Sequence, residues 1–174
     1  MVRCCQVTYL NPRLCSIFLL VLLWGGSAQA RSFQGVVTHI SDGDTLWVRP
    51  VSGGEPRKVR FQGIDAPEIC QDFGPQSRDA LAARLLHQSV LVGTRARDSY
   101  GRVLGRVTLG GEDIGAWMVL KGYAWSYHYR RSAGPYASEE TRARQSRRGL
   151  FAVGQPELPR DFRQRHGTCH AMRR

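Results

Sequence analysis

Short segments rich in β-branched residues, separated by turns that contain Gly, Asp or Pro, constrain the fold of this chain most. Five such segments cover residues 33–40, 45–50, 58–64, 90–97 and 103–109. β-Branched residues favour strands, whereas Gly, Asp and Pro favour turns. A helical segment lies between the third and fourth of them, as in an OB-fold. We therefore predict a mainly β fold with α-helices, built on a five-stranded OB-fold barrel.

About three helices are predicted around this barrel. The first begins near Pro75, since proline suits a first helical turn, and its apolar residues recur at helical spacing: Leu81, Ala82, Leu85 and Leu86. The other two cover residues 112–121 and 136–148. The predicted domain spans residues 31–153. The basic C-terminal tail, residues 154–174, is polar and arginine-rich, and we expect it to be poorly ordered.

The first 30 residues have the order of a secretory signal peptide. Arg3 and Arg13 supply positive charge, residues 14–24 form an apolar run, and residues 28–30 read Ala-Gln-Ala, a typical cleavage site. A run of 11 residues is too short to cross a bilayer, which needs about 20. We therefore expect export to a periplasm or to the medium, with no stable membrane insertion after cleavage. An uncleaved membrane anchor is the alternative.

The chain is strongly basic, and nearly all of its positive charge is arginine. The net charge is +11, and Lys58 and Lys121 are the only lysines among 25 basic residues. Removal of Arg3 and Arg13 with the signal segment leaves +9. Guanidinium groups bind phosphate through two hydrogen bonds, so this charge favours nucleic acid and, second, an anionic membrane. The alternative is a solvated surface whose arginine content reflects genome base composition.

Two cysteines remain once that segment is removed. Cys70 and Cys169 form an even pair, which in an oxidising compartment indicates a disulfide. Two free thiols are the alternative, because the spacing alone does not decide between them. A zinc site made of His166, Cys169 and His170 fits no standard ligand spacing.

An acidic motif follows the first predicted strand. In the sequence Asp42-Gly43-Asp44-Thr45, two carboxylates lie one residue apart beside a glycine. They can converge on a hard cation, which prefers oxygen ligands. Taken alone, the motif is also that of an ordinary Asp-Gly turn.

A second motif spans the third predicted strand. It covers residues 60–68, in which Arg60 lies at one end of the strand and Asp65 and Glu68 lie just past the other end. Asp65 can complete a cation site with Asp44, which leaves Glu68 free to act as a base. A surface strand with a local Arg–Glu ion pair is the alternative.

A turn at residues 98–102 adds a further arginine, Arg102. Phosphodiester hydrolysis needs a metal to bind the phosphate, a base to orient water, and cations to meet charge on the phosphate oxygens. The three motifs together supply these parts without a histidine or a nucleophilic serine or cysteine.

The ordered set of motifs resembles the micrococcal (staphylococcal) nuclease family, also called the thermonuclease family. The similarity runs from about residue 33 to residue 152. Besides the motifs above, it includes residues 100–102 (Tyr-Gly-Arg), 122–125 (Gly-Tyr-Ala-Trp) and 148–151 (Arg-Gly-Leu-Phe). The resemblance implies an OB-fold and a calcium-dependent nuclease that acts as a monomer on DNA, RNA or both.

The resemblance also implies roles for individual residues. Asp44 and Asp65 become carboxylate ligands of Ca²⁺, with Asp42 in the surrounding shell. In this family the residue after the second ligand is often Thr, and its backbone carbonyl binds the metal. Ala66 can make the same carbonyl contact, although any contact of the Thr hydroxyl is lost. Glu68 becomes the general base, and Arg60 and Arg102 bind the phosphate. Tyr127 and Tyr129 lie near the family's nucleotide-binding tyrosines, although their spacing differs; packing against the barrel is the alternative for both.

A non-catalytic nucleic-acid-binding OB-fold protein is the competing function. A degenerate copy of the domain is expected to have lost some of the five residues to which catalysis or metal binding is assigned. All five are present: Asp44, Arg60, Asp65, Glu68 and Arg102. We therefore expect an enzyme, a metal-dependent phosphodiesterase. The sequence leaves open the preference for DNA or RNA and for internal or terminal cleavage.

Overall fold

A barrel of β-strands forms the body of the molecule. The computed structural model describes residues 31–129, 131–167 and 169. Its strands are β1 (Arg31–Asp42), β2 (Thr45–Pro50), β3 (Arg57–Phe61), β4 (Ile64–Asp65), β5 (Ser89–Arg97), β6 (Val103–Leu109), β7 (Glu112–Asp113) and β8 (Trp125–Ser126). Its α-helices are α1 (Gly74–Leu85), α2 (Ile114–Leu120), α3 (Ala137–Gln145) and α4 (Pro159–His166), and a 3-10 helix covers Gly149–Val153.

The barrel closes through one parallel pair of strands. β2 pairs antiparallel with β1 and β3, and β5 pairs antiparallel with β1 and β6. β3 and β6 then pair in parallel, with Val59 opposite Val103, so the sheet returns on itself. This is a five-stranded OB-type barrel, and the predicted fold class is confirmed.

Apolar side chains from alternate strand positions fill the barrel. Val37, Leu46, Val59 and Val92 are all fully buried in this core, because successive residues of a strand face opposite sides of the sheet. Of the four residues predicted to form a buried stripe, Leu81 and Leu85 are fully buried in the same core and Ala82 is partly buried. The prediction is wrong for Leu86, which follows the end of α1 and is 37% exposed. A second cluster lies beside the barrel and contains Trp125, Ala143, Leu150 and Phe151.

The third predicted strand, 58–64, divides in two. β3 ends at Phe61, and the chain then turns at Gly63, whose φ of 85° is one that glycine adopts without strain. A Cβ at Gly63 would also lie 2.5 Å from Pro135 Cγ. The residues that follow form β4, which pairs with β8 rather than within the barrel. Asp65 is therefore carried away from β3 on a strand of its own.

The described residues contain four α-helices where about three were predicted. The second predicted helix begins as β7, because Glu112 pairs with Leu109 of β6. Asp113 then accepts a hydrogen bond from the Gly115 N–H (2.9 Å) and caps α2. The third predicted helix forms as the shorter α3.

The fourth helix lies in the C-terminal tail, so the expectation of a poorly ordered segment is wrong for the described part of it. α4 has proline in its first turn and ends before Gly167, which has a positive φ. Pro159 and Phe162 are its buried residues. A disulfide joins Cys70 to Cys169 with an S–S distance of 2.11 Å, so Cys169 is not a zinc ligand.

The predicted signal segment, residues 1–30, and His170 lie outside the described residues. In the described part, no helix has the length and apolar character needed to span a membrane.

Candidate active site

The turn between β1 and β2 presents Asp42 and Asp44. The Asp44 N–H donates to Asp42 Oδ1 (3.0 Å), so the first carboxylate shapes the turn that holds the second. Packing requires glycine at position 43, because a Cβ there would lie 2.0 Å from Ser77 Oγ and 2.7 Å from Ala66 Cβ. The turn therefore sits tightly against α1 and the segment that follows β4.

Arg60 joins the two predicted carboxylate ligands. In the register of β2 and β3, Arg60 lies opposite Thr45. Its guanidinium donates to Asp44 Oδ1 (2.7 Å) and to Asp65 Oδ1 (2.9 Å). Asp44 and Asp65 are buried, with 2% and 7% of their surface exposed. The strands thus bring together three residues that the sequence separates.

Asp44 is held by further hydrogen bonds. Thr45 Oγ1 donates to Asp44 Oδ1 (2.9 Å), and the Ala66 N–H donates to Asp44 Oδ2 (3.1 Å). The Ala66 contact places the residue after Asp65 beside Asp44, so both metal-binding segments expected from the sequence meet at one point. Thr45 was not predicted as a site residue, although it belongs to the Asp-Gly-Asp-Thr motif.

Two of these carboxyl groups, Asp42 and Asp65, resist ionisation. Burial first, and repulsion from Asp44 second, raise the pKa of Asp42 to about 7 and that of Asp65 to about 6. Asp44 and, less strongly, Asp65 raise the pKa of Arg60 above its usual range. The cluster therefore holds more negative charge than Arg60 neutralises.

Glu68 lies on the loop between β4 and α1 and makes an ion pair. Arg163 of α4 donates through Nη1 to Glu68 Oε1 (2.6 Å), and its Nη2 lies 3.6 Å from Asp65 Oδ2. Gln71 Oε1 accepts a hydrogen bond from the Glu68 N–H (3.1 Å). Sequence reasoning missed Arg163, because α4 was expected to be poorly ordered; proline before and glycine after residues 160–166 were the available signal.

Arg102 is held outside the buried carboxylate cluster. It donates through Nε to Asp98 Oδ2 (2.6 Å) and immediately precedes β6, whose first residue pairs with Val59 beside Arg60. Burial opposes ionisation of Asp98, but hydrogen bonds from Arg102 outweigh it and lower the pKa of that carboxyl. Arg102 thus lies just before the strand that pairs with β3, and it is paired with a different acid from those that bind Arg60.

Tyr127 and Tyr129 follow β8 and are 47% and 61% exposed. The Tyr127 N–H donates to the Gly63 carbonyl (2.8 Å), so its backbone is fixed to the turn before β4. Neither ring is part of the buried core.

The residues present fit a hard divalent cation. Asp44, Asp65 and the Ala66 carbonyl offer only oxygen, the donor type that calcium prefers. Burial, and then repulsion from Asp44, raise the pKa of Asp42 and of Asp65, and a bound cation would relieve the repulsion. In the described part of the chain, no three acidic, histidine or cysteine side chains form a metal cluster, and Arg60 pairs with both Asp44 and Asp65.

Comparison with known proteins identifies the family. The sequence model of the family described as staphylococcal nuclease homologue matches residues 58–153, more than half of the chain. The chain belongs to the staphylococcal nuclease family. The resemblance to micrococcal nuclease inferred from the motifs is therefore confirmed. The match includes Arg60, Asp65, Glu68 and Arg102, and it ends before α4.

Relatives in this family cover most of the chain. Protein ParB of Escherichia coli is 38% identical over 145 residues, which cover 77% of this chain and 80% of the length of that protein. A micrococcal nuclease of Shigella flexneri is 36% identical over 142 residues, covering 75% and 80%. An uncharacterized endonuclease of Escherichia coli is 31% identical over 148 residues, covering 84% and 95%.

Proposed function

We propose that this chain is an exported, calcium-dependent nuclease that acts as a monomer on DNA, RNA or both. Membership of the staphylococcal nuclease family makes it an enzyme that hydrolyses phosphodiester bonds of nucleic acids. The observation that carries the calcium proposal is the buried pair Asp44 and Asp65, whose negative charge Arg60 does not fully neutralise.

Asp44, Asp65 and the Ala66 carbonyl would hold calcium, with Asp42 orienting Asp44 from the turn. Bound calcium would supply positive charge that binds and polarises the scissile phosphate. Asp65 Oδ1 accepts from Arg60, whereas its Oδ2 lies 3.6 Å from Arg163, beyond hydrogen-bond distance. That second oxygen therefore remains open to another partner.

Glu68 would take a proton from the attacking water. Its carboxylate is only partly buried, at 24% exposure, so water can reach it. Arg60 and Arg102 would meet the negative charge that develops on the phosphate oxygens, since guanidinium groups bind two oxygens at once. Arg102 must exchange Asp98 for phosphate, and Arg60 must share its hydrogen bonds with the substrate. Tyr127 and Tyr129, whose side chains are 47% and 61% exposed, would stack on a base.

One assay tests this proposal against its alternative. The chain starting at Arg31 is incubated with single-stranded DNA, duplex DNA and RNA, in calcium and in excess chelator. Cleavage in calcium and none in chelator is the expected result. Equal cleavage in chelator would remove calcium from the proposal, and tight binding without cleavage under any condition would favour a non-catalytic OB-fold.

Export is supported by the order of charged, apolar and small residues in segment 1–30. The Cys70–Cys169 disulfide is consistent with an oxidising compartment. Mass spectrometry of the protein from periplasm or medium should find Arg31 at or near the amino terminus. A protein that starts at Met1 and stays in the cytoplasm would contradict export.

A further inference from the structure

Helix α4 lies beyond the region matched by the family and is fastened to the loop that carries Glu68. The disulfide links Cys70 of that loop to Cys169. On the other side of α4, Gln71 Nε2 donates to the carbonyl of Glu157 (2.7 Å). The helix is thus attached to one short loop both before and after its own span.

The attachment places one guanidinium on the site. Arg163 is 35% exposed, donates to Glu68 Oε1 (2.6 Å) and lies 3.6 Å from Asp65 Oδ2. Glu68 is in a loop, outside any helix or strand, so its carboxylate has no regular element to orient it. The Arg163 bond engages Oε1, and an ionised carboxylate can accept more than one hydrogen bond, so Glu68 can still accept from water.

We infer that Arg163 is a positioning residue of the nuclease, which fixes the Glu68 carboxylate beside Asp65 and is itself held in place by the Cys70–Cys169 disulfide. The inference rests on the proposed function, in which Glu68 is the base. The site then holds two guanidinium groups and four carboxylates, which belong to Arg60, Arg163, Asp42, Asp44, Asp65 and Glu68. When all four carboxylates are ionised, two negative charges remain unpaired, and one divalent cation would balance them.

The opposite role, in which Arg163 blocks Glu68 until substrate arrives, fits the attachment of α4 poorly. A blocking residue has to move away before substrate binds. α4 is anchored on both sides of Arg163, by a covalent bond and by the Gln71–Glu157 hydrogen bond, so Arg163 cannot withdraw with its helix while both remain. A fixed support for the base is the role that this anchoring allows.

The test compares Arg163→Gln with Arg163→Lys and with a matched control, Arg165→Gln. Arg165 is on the same helix, and its ion pair with Glu157 is exposed, so the control removes an equal charge away from Glu68. Single-turnover cleavage of a defined oligonucleotide in saturating calcium gives the rate, and binding to the same oligonucleotide gives the affinity.

Loss of a residue that orients a functional group commonly lowers activity about 10- to 100-fold. Arg163→Gln should lower the rate by that factor and change oligonucleotide affinity by less than about threefold. Arg163→Lys should recover part of the rate, because it keeps one charged donor. Arg165→Gln should cleave like the wild type. A Cys70→Ala/Cys169→Ala variant should show the same loss, and adding Arg163→Gln to it should cost little more.

Hydrogen exchange gives a readout that does not need activity. Amides of residues 68–71 should exchange faster in Arg163→Gln than in Arg165→Gln, because the loop has lost its support. Equal exchange and equal rates in the two variants would overturn the inference, as would faster cleavage by Arg163→Gln. If the wild type itself fails to cleave in calcium, the proposed function fails, and the exchange result still decides whether Arg163 supports the loop.

Discussion

Arg60 has a structural role as well as a proposed catalytic one, because it is the cation between two buried carboxylates. Asp44 and Asp65 each accept one of its hydrogen bonds, and both are nearly inaccessible to water. Arg102 has a different environment, since it pairs with Asp98 at the edge of the barrel. The two arginines should therefore respond differently to substitution, although both are proposed to bind phosphate.

Arg60→Gln should lower the free energy of unfolding by about 3–5 kcal/mol, because removing one partner leaves buried charge unpaired. Calcium should restore part of that loss by binding the folded state. Arg102→Gln should change stability by about 1 kcal/mol or less. Urea unfolding with and without calcium measures the stability of both variants and the effect of calcium. Equal stability of Arg60→Gln and Arg102→Gln would contradict the structural role assigned to Arg60.

The lysine variants test the proposed phosphate contacts of the same two arginines. Arg60→Lys and Arg102→Lys should each lower the cleavage rate about 1,000-fold, because lysine keeps the charge but loses the two-pronged geometry.

Asp44 and Asp65 are expected to be required for metal binding. Asp44→Ala and Asp65→Ala should each abolish cleavage at ordinary calcium levels and weaken calcium binding, as measured by calorimetry, because a carboxylate ligand is lost. Asp79→Ala is the matched control, since Asp79 is exposed on α1 and pairs with Arg78. Unchanged calcium affinity in a folded Asp44→Ala variant would place the metal elsewhere.

At the scale of elements, α4 depends on long-range contacts more than on its own composition. Only Pro159 and Phe162 of the helix are buried, and the rest of it is largely charged. The disulfide spans a sequence separation of 99 residues and so crosslinks most of the domain. A crosslink of this length restricts the unfolded chain far more than it changes the folded one.

Replacing both cysteines with alanine should therefore lower the free energy of unfolding by about 4 kcal/mol. Denaturant unfolding followed by circular dichroism measures the difference, and reduction of the wild-type protein should give a similar loss. Arg165→Gln, which alters α4 without touching the disulfide, serves as the control. A loss below about 1 kcal/mol would mean that the crosslink contributes little to stability.

The sequence predicts the elements whose cause is local and misses those whose cause is distant. Alternating Val and Leu residues predict the barrel strands, and Pro75 with Leu81 and Leu85 predicts α1. The division of the strand at Gly63 depends on pairing between β4 and β8, which local pattern does not reveal. α4 is missed because its surroundings, including the loop at Glu68, are far away in sequence.

The same distinction holds for the site. Motif spacing points to Asp44, Arg60 and Asp65 as site residues. The β2–β3 register sets Arg60 opposite Thr45, and the two ion pairs of Arg60 link Asp44 to Asp65. The contact between Glu68 and Arg163 connects residues 95 positions apart, so no local motif contains it.

At the scale of the whole molecule, excess positive charge should govern encounter with nucleic acid. Positively charged groups release counterions from the phosphate backbone, so the logarithm of affinity falls with the logarithm of salt by about 0.7 per phosphate contacted on a single strand. Binding of a short single-stranded oligonucleotide to an inactive Glu68→Gln variant should weaken steeply from low to high salt. A flat response would show that arginine charge does not drive binding.

The cluster of Asp44, Asp65, Arg60 and Glu68 is the proposed active site of the nuclease. The most direct measurement is the single-turnover rate of Glu68→Gln on a defined oligonucleotide in saturating calcium, with affinity and folding measured in parallel. Glu55→Gln, the same change on the exposed loop between β2 and β3, is the control. The rate of Glu68→Gln should fall about 100- to 10,000-fold while affinity stays near that of the wild type, because a general base contributes by that factor. A folded Glu68→Gln variant that cleaves as fast as Glu55→Gln would contradict the account.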